Sequence, residues 1–430
     1  MAGLPDPRLG VDDLAAVGSL ASVADEQAAR LYAGDGGGRQ PVHTVYVPAD
    51  AVTADLAPTW GRAARTALDT HAPTPDALAA VLDEPVEAAG EVWPLLLAKL
   101  ETEPIEDLRI DLEDGYGARL DAEEDADAVA AARALATATA DGTAPPYSGI
   151  RVKSLERATR ARGLRTLDLV LGAMLEAGGL PAGWTVTLPK VTSVRQVAAM
   201  VEACARLERA YGLPDHRLTF EVQVETPQLI LGVDGRATVA QVVHEADGRL
   251  TGLHFGTYDY TAALGVSAAY QAMDHPVAQH AKAVMAVAVA GTGVRLSDGS
   301  TNILPVGDTE HVHAAWALHA RLVQGSLAAG YYQGWDLHPA QLVTRFVASY
   351  LFYRRGLDEA GSRLSAYLQG RSASAEDNNN TVLDEPATAQ ALAGFLLRGV
   401  DCGAMRHDEL ASLAGTEMAT LRTLAARRVG

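Results

Sequence analysis

The sequence predicts an α/β fold, a TIM (β/α)₈ barrel with an inserted helical segment after strand 1 and a C-terminal helical extension. Short β-branched or apolar runs recur along the chain, and Ala- and Leu-rich stretches with helical periodicity separate them. Most runs are roughly 30–40 residues apart, as successive βα units require. The expected strands lie near residues 42–47, 108–112, 149–153, 184–189, 218–224, 250–255, 294–297 and 332–336.

The spacing of these runs also divides the chain. Residues 1–40 precede the first strand, residues 41–345 form the predicted barrel, and an insertion of about residues 50–107 supplies extra helices. After residue 340 the strand signal stops, so residues 346–430 are expected to be a helical extension or lid. A doubly wound sheet is the competing fold, but no Gly-x-Gly-x-x-Gly motif follows the first strand. The expected helices after the last strand are 341–353, 359–368, 387–397 and 408–426.

Composition limits the function classes. Hydrophobic residues make up 48% of the 430 residues, and the net charge of −19 gives no basic surface for nucleic acid. An acidic small-molecule substrate therefore needs local positive charge. Two cysteines, Cys204 and Cys402, are too few for a disulfide framework and favour a cytoplasmic location. No signal peptide and no run of about 20 apolar residues is evident, so we expect no membrane association.

Two predicted strands end in carboxylates. Glu225 follows the run 218–224, and Asp259 follows the run 250–255 by one short turn. A strand buried on both sides has little reason to end in an acid unless a ligand or partner neutralises it. Neighbouring strand ends can share one cation, and two carboxylates with water and substrate oxygens suit Mg²⁺ or Mn²⁺ better than zinc. The alternative is a pair of acids that bind Arg side chains or cap helices.

Further polar residues gather at the same predicted rim, where active sites of such barrels are built. Arg151 ends the third strand, and its planar guanidinium suits a substrate carboxylate or an enolate oxygen. It could equally be a buried partner of Asp111 or Glu113, and both roles can coexist. Lys190 fits the same chemistry, although a surface lysine is an equal alternative. The other candidates for substrate binding or support are Asp111, Glu113, Asp114, Gln223 and His338.

Histidines contribute less to this hypothesis. His311, His313 and His319 lie on a predicted helix without the spacing of metal ligands. We therefore expect all three to be solvated.

Seven short motifs in order resemble the HpcH/HpaI aldolase and citrate lyase β-subunit superfamily, over most of residues 42–400. The motifs are Val45-Tyr46-Val47-Pro48, Ile110-Asp111-Leu112-Glu113-Asp114-Gly115, Ile150-Arg151-Val152, Leu188-Pro189-Lys190-Val191, Glu225-Thr226, Phe255-Gly256-Thr257-Tyr258-Asp259 and His338-Pro339-Ala340-Gln341.

The resemblance implies a TIM barrel, usually with Mg²⁺, that makes or breaks a carbon–carbon bond beside a carboxylate or thioester. By motif, Glu225 and Asp259 would be metal ligands and Arg151 would steady an enolate. The segment 382–386 is similar to one that supplies an acid from a neighbouring subunit, which makes Asp384 a candidate base; it could equally cap the helix that Pro386 begins. The resemblance further implies a homo-oligomer, a trimer or hexamer.

Two departures leave the branch of the superfamily open. The loop 49–55 lacks the Gly and Arg residues of the coenzyme A-using relatives, which leaves a coenzyme A thioester substrate uncertain. Gln223 and Glu225 match the Gln-x-Glu of pyruvate-type aldolases, but Gly115-Tyr116-Gly117 stands where those enzymes carry a His.

The sequence thus supports a Mg²⁺-dependent lyase that cleaves a 3-hydroxy acid or its acyl-CoA thioester by a retro-aldol or retro-Claisen step. The alternatives are a pyruvate-forming aldolase acting on a free 2-oxo acid and a non-catalytic barrel that binds a metabolite.

Overall fold

A computed structural model describes residues 8–32, 34, 36–369 and 385–426. Eight parallel strands form a single sheet between the barrel interior and a surrounding helix layer, and all but the half-buried β7 are largely buried. This confirms the predicted fold class, and every observed strand overlaps a predicted one. The strands are β1 (His43–Pro48), β2 (Asp107–Asp111), β3 (Tyr147–Arg151), β4 (Gly183–Leu188), β5 (Thr219–Val224), β6 (Leu250–Phe255), β7 (Arg295–Ser297) and β8 (Gly334–Asp336).

The strands follow one another in chain order around the sheet, and β8 pairs with β1. The join between β7 and β8 is the weakest. A single bridge pairs Ser297 with Gln333, and two backbone bonds add to it, from Asp298 N to the Gln333 carbonyl (2.8 Å) and from Trp335 N to the Gly299 carbonyl (3.3 Å). These contacts close the sheet into a barrel.

Helices surround the barrel, and further helices precede its first strand and follow its last strand in the sequence. Local sequence sets several of their boundaries: for example, Ser193 and Gln196 form a capping box before one helix, which ends at Gly212 in the left-handed conformation. The helices are α1 (Val11–Leu31), α2 (Leu56–His71), α3 (Pro75–Leu82), α4 (Val86–Thr102), α5 (Asp121–Ala140), α6 (Arg160–Glu176), α7 (Val194–Tyr211), α8 (Pro227–Ile230), α9 (Thr238–Glu245), α10 (Thr257–Ala263), α11 (Pro276–Val289), α12 (Thr309–Ala328), α13 (Gln341–Leu368), α14 (Pro386–Asp401), α15 (His407–Ala414) and α16 (Met418–Ala425).

The inserted helices and the C-terminal helices share one hydrophobic core. The insertion after β1 forms α2, α3 and α4. Helices α2 and α4 pack on α13, and α3 packs on α4 and α12, within one hydrophobic cluster that also includes residues of α14, α15 and α16. Leu68 and Leu96 of the insertion are fully buried in the same cluster as Phe346 and Leu396 of the extension. The two additions therefore form one body against β1 and β8, which are neighbours in the barrel.

Two predictions for helices in the C-terminal region differ from the structure. The expected helix 408–426 is broken at Gly415, in the left-handed conformation, into α15 and α16. The sequence suggested two helices, 341–353 and 359–368, whereas α13 is continuous over 28 residues. Gly356 lies in the apparent gap, and a Cβ at this position would meet the ring of Phe395 at 2.7 Å. This glycine permits the close approach of α14 to α13 and does not end a helix.

The histidine prediction is wrong for His319. His311 is exposed, but His319 on α12 is buried, with Nδ1 2.7 Å from the Thr344 hydroxyl and Nε2 3.2 Å from Asp336 Oδ1. It belongs to a buried polar network that fixes α12 and α13 against β8. Among the described helices, none has both the length and the apolarity that crossing a bilayer requires.

Candidate functional site

Side chains from consecutive strands meet at the carboxyl end of the barrel. Asp111 and Arg151 end β2 and β3, and their Cα positions are paired in the sheet. Glu225 directly follows β5, Lys190 follows β4 by two residues, and Asp259 lies in the first turn of α10, after β6. The parallel topology alone brings these positions to one rim.

The ammonium group of Lys190 lies between the two acids that the sequence singled out. Its Nζ is 2.6 Å from Asp259 Oδ2 and 3.4 Å from Glu225 Oε2, and it also donates to Asp114 Oδ2 at 2.8 Å. Burial alone would lower the pKa of Lys190, but Glu225 and the other carboxylates raise it well above its usual range. A single positive charge thus bridges Glu225 and Asp259.

The backbone of Lys190 takes part as well. Lys190 has a φ of 52°, in the left-handed region that non-glycine residues rarely adopt. In this conformation its N–H donates to Glu225 Oε1 at 2.7 Å. Backbone strain of this kind persists where the surrounding structure fixes it, often at functional sites.

Glu225 is held inside the barrel rim with 1% of its surface exposed. Gln223 donates to its Oε2. Burial raises the pKa of Glu225 to about 8, and Lys190 opposes this shift while Asp259 adds to it. The carboxylate form therefore depends on nearby positive charge.

Gly256 provides the space that Glu225 occupies. A Cβ at position 256 would lie 2.6 Å from the Cβ of Glu225 and 3.1 Å from its Oε2. No larger residue fits there without displacing the carboxylate.

Arg151 is fixed in place by a bidentate ion pair. Its Nε and one terminal nitrogen donate to the two Asp111 oxygens at 2.7 and 2.6 Å, and its other terminal nitrogen donates to Gln223 Oε1 at 3.2 Å. The guanidinium carbon also lies 4.9 Å from the centre of the Tyr46 ring. Asp111 thus orients a buried guanidinium at the carboxyl end of β3, so the role as a partner of Asp111 does not exclude the role in substrate binding.

Glu113 completes the group of acids. Its carboxylate lies 3.5 Å from the Arg151 guanidinium and 4.0 Å from Lys190 Nζ. Burial raises the pKa of Glu113 to about 7, although Arg151 and Lys190 favour its charged form. A carboxyl group with this pKa can both take up and release a proton near neutral pH.

The donor set fits a hard divalent cation that keeps open coordination positions. In the described part of the chain no three His, Cys, Asp or Glu side chains are grouped as metal ligands. Glu225 and Asp259, which both lie within 3.4 Å of the Lys190 ammonium, would be the two protein donors. Mg²⁺ commonly binds through one or two carboxylates and retains waters or substrate oxygens. The Lys190 ammonium already marks a point between these carboxylates where positive charge is favourable.

The structure therefore brings together eight of the ten predicted site residues: Glu225, Asp259, Lys190, Asp114, Glu113, Arg151, Asp111 and Gln223. His338 follows β8, and its Nδ1 accepts from the Ala340 N–H at 3.2 Å, as a local cap before α13. Asp384 lies outside the described residues.

Two aromatic side chains at this rim were not singled out from the sequence. Tyr46 of β1 and Trp335 of β8 contact each other, with ring centres 4.3 Å apart, and both lie against Arg151. The sequence could have indicated them through their positions on the first and last strands, which are neighbours in a barrel. They cover one side of the guanidinium.

A buried charge network deeper in the barrel was also missed. Arg109 donates to both Glu221 oxygens at 2.9 and 2.7 Å, and His254 Nε2 lies 2.9 Å from Glu221 Oε2. A cavity of about 230 Å³ borders these groups at the amino-terminal end of the strands. The charged groups of this network pair with one another, and the network lies away from the rim that carries Glu225.

Fold and site together define a class of protein. It is an α/β barrel in which a lysine ammonium bridges two carboxylates at the carboxyl ends of the strands. The chain belongs to the family described as Domain of unknown function (DUF6986), whose model matches residues 21–429. No curated protein matches the chain by sequence.

Similar solved structures include malate synthase from Haloferax volcanii in a magnesium/glyoxylate complex, at 14% identity over 91% of this chain and 98% of that one, with a TM-score of 0.48. CitE from Mycobacterium tuberculosis, with magnesium, acetoacetate and coenzyme A, is 19% identical over 88% and 100% of the two chains (TM-score 0.46). A HpcH/HpaI aldolase/citrate lyase family protein from Burkholderia cenocepacia J2315 is 17% identical over 77% and 99% (TM-score 0.41).

Proposed function

We propose that the protein is a Mg²⁺-dependent carbon–carbon lyase that cleaves a 3-hydroxy acid or its acyl-CoA thioester. The observation that carries this proposal is the Glu225–Lys190–Asp259 arrangement beside an oriented Arg151. It combines a place for a divalent cation with a fixed donor for substrate oxygens. Mn²⁺ would suit the same oxygen donors.

Glu225 and Asp259 would hold the metal. When bound, the metal would act as a Lewis acid on substrate oxygens. Its charge would also favour the carboxylate form of Glu225, which burial disfavours.

Arg151 supplies the fixed electrostatic element of the reaction. Asp111 holds the Nε edge of the guanidinium, so the group does not need to reorganise when charge develops on the substrate. It can bind the carboxylate of a substrate or the enolate oxygen that forms as the carbon–carbon bond breaks. In a chain with a net charge of −19, Arg151 and Lys190 provide the local positive charge that an acidic substrate needs.

Glu113 is the proposed proton acceptor among the described residues. In the cleavage direction it takes the proton of the 3-hydroxyl group while that oxygen becomes a carbonyl. The electrons of the broken carbon–carbon bond pass to the enolate, whose carbon then takes the proton back from Glu113, so that Glu113 returns to its carboxylate form. The pKa of about 7 for Glu113 suits a group that cycles between both forms.

Metal binding tests the proposal directly. Isothermal titration of the metal-free protein with Mn²⁺ should show one site, and Glu225→Gln should weaken it at least tenfold. Glu202→Gln is the control, since Glu202 is an exposed glutamate of α7 that pairs with Arg206. Equal Mn²⁺ affinity in all three proteins would show that Glu225 is not a metal ligand and would favour a non-catalytic metabolite-binding barrel.

A pyruvate-forming aldolase is the second candidate, and the contacts of Gln223 favour it. Its amide hydrogen-bonds to both Arg151 and Glu225, which supports a role for the Gln-x-Glu motif in this site. Product formation with and without coenzyme A thioesters separates the two reactions. Turnover that strictly requires the thioester would exclude the free-acid aldolase.

A further inference from the structure

The ammonium group of Lys190 occupies the space in which a metal ion shared by Glu225 and Asp259 would lie. Its Nζ is 2.6 Å from Asp259 Oδ2 and 3.4 Å from Glu225 Oε2. Mg²⁺ binds carboxylate oxygens at about 2.0–2.1 Å, which is shorter than either of these contacts. A metal ion held between the same two oxygens would therefore overlap the ammonium, and the two cations would repel each other.

The carboxylate of Glu225 has few free acceptor positions for an additional cation. Its Oε1 accepts from the Lys190 N–H at 2.7 Å, while its Oε2 accepts from Gln223 and faces Lys190 Nζ. Because a carboxylate oxygen has two lone-pair directions, both of those on Oε2 are in use. Gln223 is itself held by Arg151 at 3.2 Å. Of the two donors at Oε2, the ammonium is thus the one that a metal ion can replace.

The side chain of Lys190 can move, whereas its backbone is fixed by the contact with Glu225. A long flexible stem carries the ammonium, and 21% of the side chain is exposed. The side chain of Arg151, in contrast, is 6% exposed and holds Asp111 with two parallel hydrogen bonds. A guanidinium at position 190 could grip carboxylates in the same way. The ammonium is a point charge, which releases them more easily.

We propose that Lys190 is a resident cation that neutralises the metal-free site and is displaced when Mg²⁺ binds. This inference rests on the proposed function, because it concerns the same metal site. Without the ammonium, the carboxylates of Glu225 and Asp259 would repel each other in the metal-free protein. The ammonium also lowers the apparent metal affinity, since the site must be vacated before a metal ion can enter. Lys190 therefore sets the Mg²⁺ concentration at which the site is filled.

Lysine is rare in this chain, which makes the displacement directly observable. Of the 35 residues that are Lys or Arg, four are lysines: Lys99, Lys153, Lys190 and Lys282. The other three pair with carboxylates that are not proposed metal ligands. Only the Lys190 side chain should therefore respond to a metal ion at Glu225.

Nuclear magnetic resonance relaxation of the full chain tests the displacement. Lysine-selective ¹³C labelling gives four Cε signals, and Lys190→Met identifies the signal of Lys190. In EDTA, we expect Lys190 to be as rigid as Lys282, which is buried and contacts Asp298 at 2.7 Å. Saturating Mg²⁺ should free the Lys190 Cε and lower its order parameter below about 0.6, whereas Lys282 should not change. The relaxation is measured on the original sequence, so it does not depend on how a variant folds.

Calorimetric titration with Mn²⁺ tests the effect on affinity. Lys190→Met should bind Mn²⁺ about tenfold more tightly than the original protein, because no charge-assisted hydrogen bonds have to be broken first. Arg195→Met is the control, since Arg195 is an exposed residue in the first turn of α7 and its loss changes the net charge equally. It should leave the Mn²⁺ affinity within about twofold, because solvent screens an exposed charge.

The results distinguish this inference from the proposed function. A bound metal with a Lys190 Cε that stays rigid would overturn the displacement and leave the metal site of the proposed lyase intact. Equal Mn²⁺ affinity in the original protein and Lys190→Met would do the same. If neither protein binds Mn²⁺, the metal site of the proposed function fails together with the displacement.

Discussion

The Nζ of Lys190 lies 2.6 Å from Oδ2 of Asp259, at the carboxyl end of the barrel. Because the same ammonium is also within reach of Glu225, the site holds one positive charge among carboxylates that would otherwise repel each other. The stability and the proposed chemistry of this rim both depend on that charge balance.

The pKa of Glu225 predicts how stability depends on pH. Burial raises this pKa from 4.5 to about 8, so between these values the folded protein binds a proton that the unfolded chain releases. Unfolding free energy must therefore fall as pH rises through this window. We expect the unfolding free energy of the original protein, kept metal-free with EDTA, to fall between pH 5.5 and pH 7.5. In Glu225→Gln this fall should be about 2 kcal/mol smaller. Urea unfolding at several pH values measures it, and parallel curves for the two proteins would contradict the assignment.

Gly256 should not tolerate even a methyl group. In Gly256→Ala the new Cβ would overlap Glu225, so we expect a loss of about 1–3 kcal/mol in unfolding free energy together with weaker Mn²⁺ binding. Gly325→Ala is the matched control, because Gly325 lies in α12 with open space around its Cβ position. That control should be neutral or stabilising. Equal stability of the two variants would show that Glu225 can move aside freely.

The left-handed backbone of Lys190 can be separated from its side chain. Lys190→Ala and Lys190→Gly both remove the ammonium, but only glycine relieves the φ of 52°. We expect Lys190→Gly to be more stable than Lys190→Ala by about 1 kcal/mol, as measured by urea unfolding. Both should lose turnover to a similar extent. If the alanine variant is as stable as the glycine variant, position 190 is not strained.

Asp111 is expected to act through Arg151. Arg151→Ala should lower kcat by roughly 10²–10³, the range found when an oxyanion donor is removed. Asp111→Asn leaves the guanidinium in place but loosens its orientation, so kcat should fall less than in Arg151→Ala. Arg151→Lys should not keep the kcat of the original protein, because an ammonium lacks the planar fork of the guanidinium. Steady-state kinetics of the metal-bound variants, with a substrate that the original protein turns over, measures the kcat of each variant. Unchanged turnover in Arg151→Ala would remove Arg151 from the reaction.

Much of the fold follows from local sequence, because alternating strand and helix patterns repeat at the length of one βα unit. The error at Gly356 has a tertiary cause. A glycine after two arginines resembles a helix end, but its role depends on Phe395, which lies 39 positions further along the chain. His319 is similar, since its burial depends on Asp336 and Thr344, which its helical spacing does not reveal.

The candidate site was predictable in membership but not in arrangement. Topology places Glu225, Asp259 and Arg151 at one rim as soon as the strands are assigned. The central position of Lys190 depends on its backbone conformation, which no residue pattern specifies. The contacts of Lys190 with Asp114, Glu225 and Asp259 are visible only in three dimensions, whereas the sequence left a surface lysine and a site lysine equally open.

The adjacency of β1 and β8 has a consequence for how this chain can change. The insertion grows from the end of β1 and the extension from the end of β8, so two segments distant in sequence share a single apolar interior. Removing residues 56–102 would leave Phe346 and its neighbours on α13 facing water, and removing the extension would do the same to Leu68 and Leu96. Truncated or recombined versions of the chain should therefore keep both additions or lose both, since neither half of that interior is complete by itself.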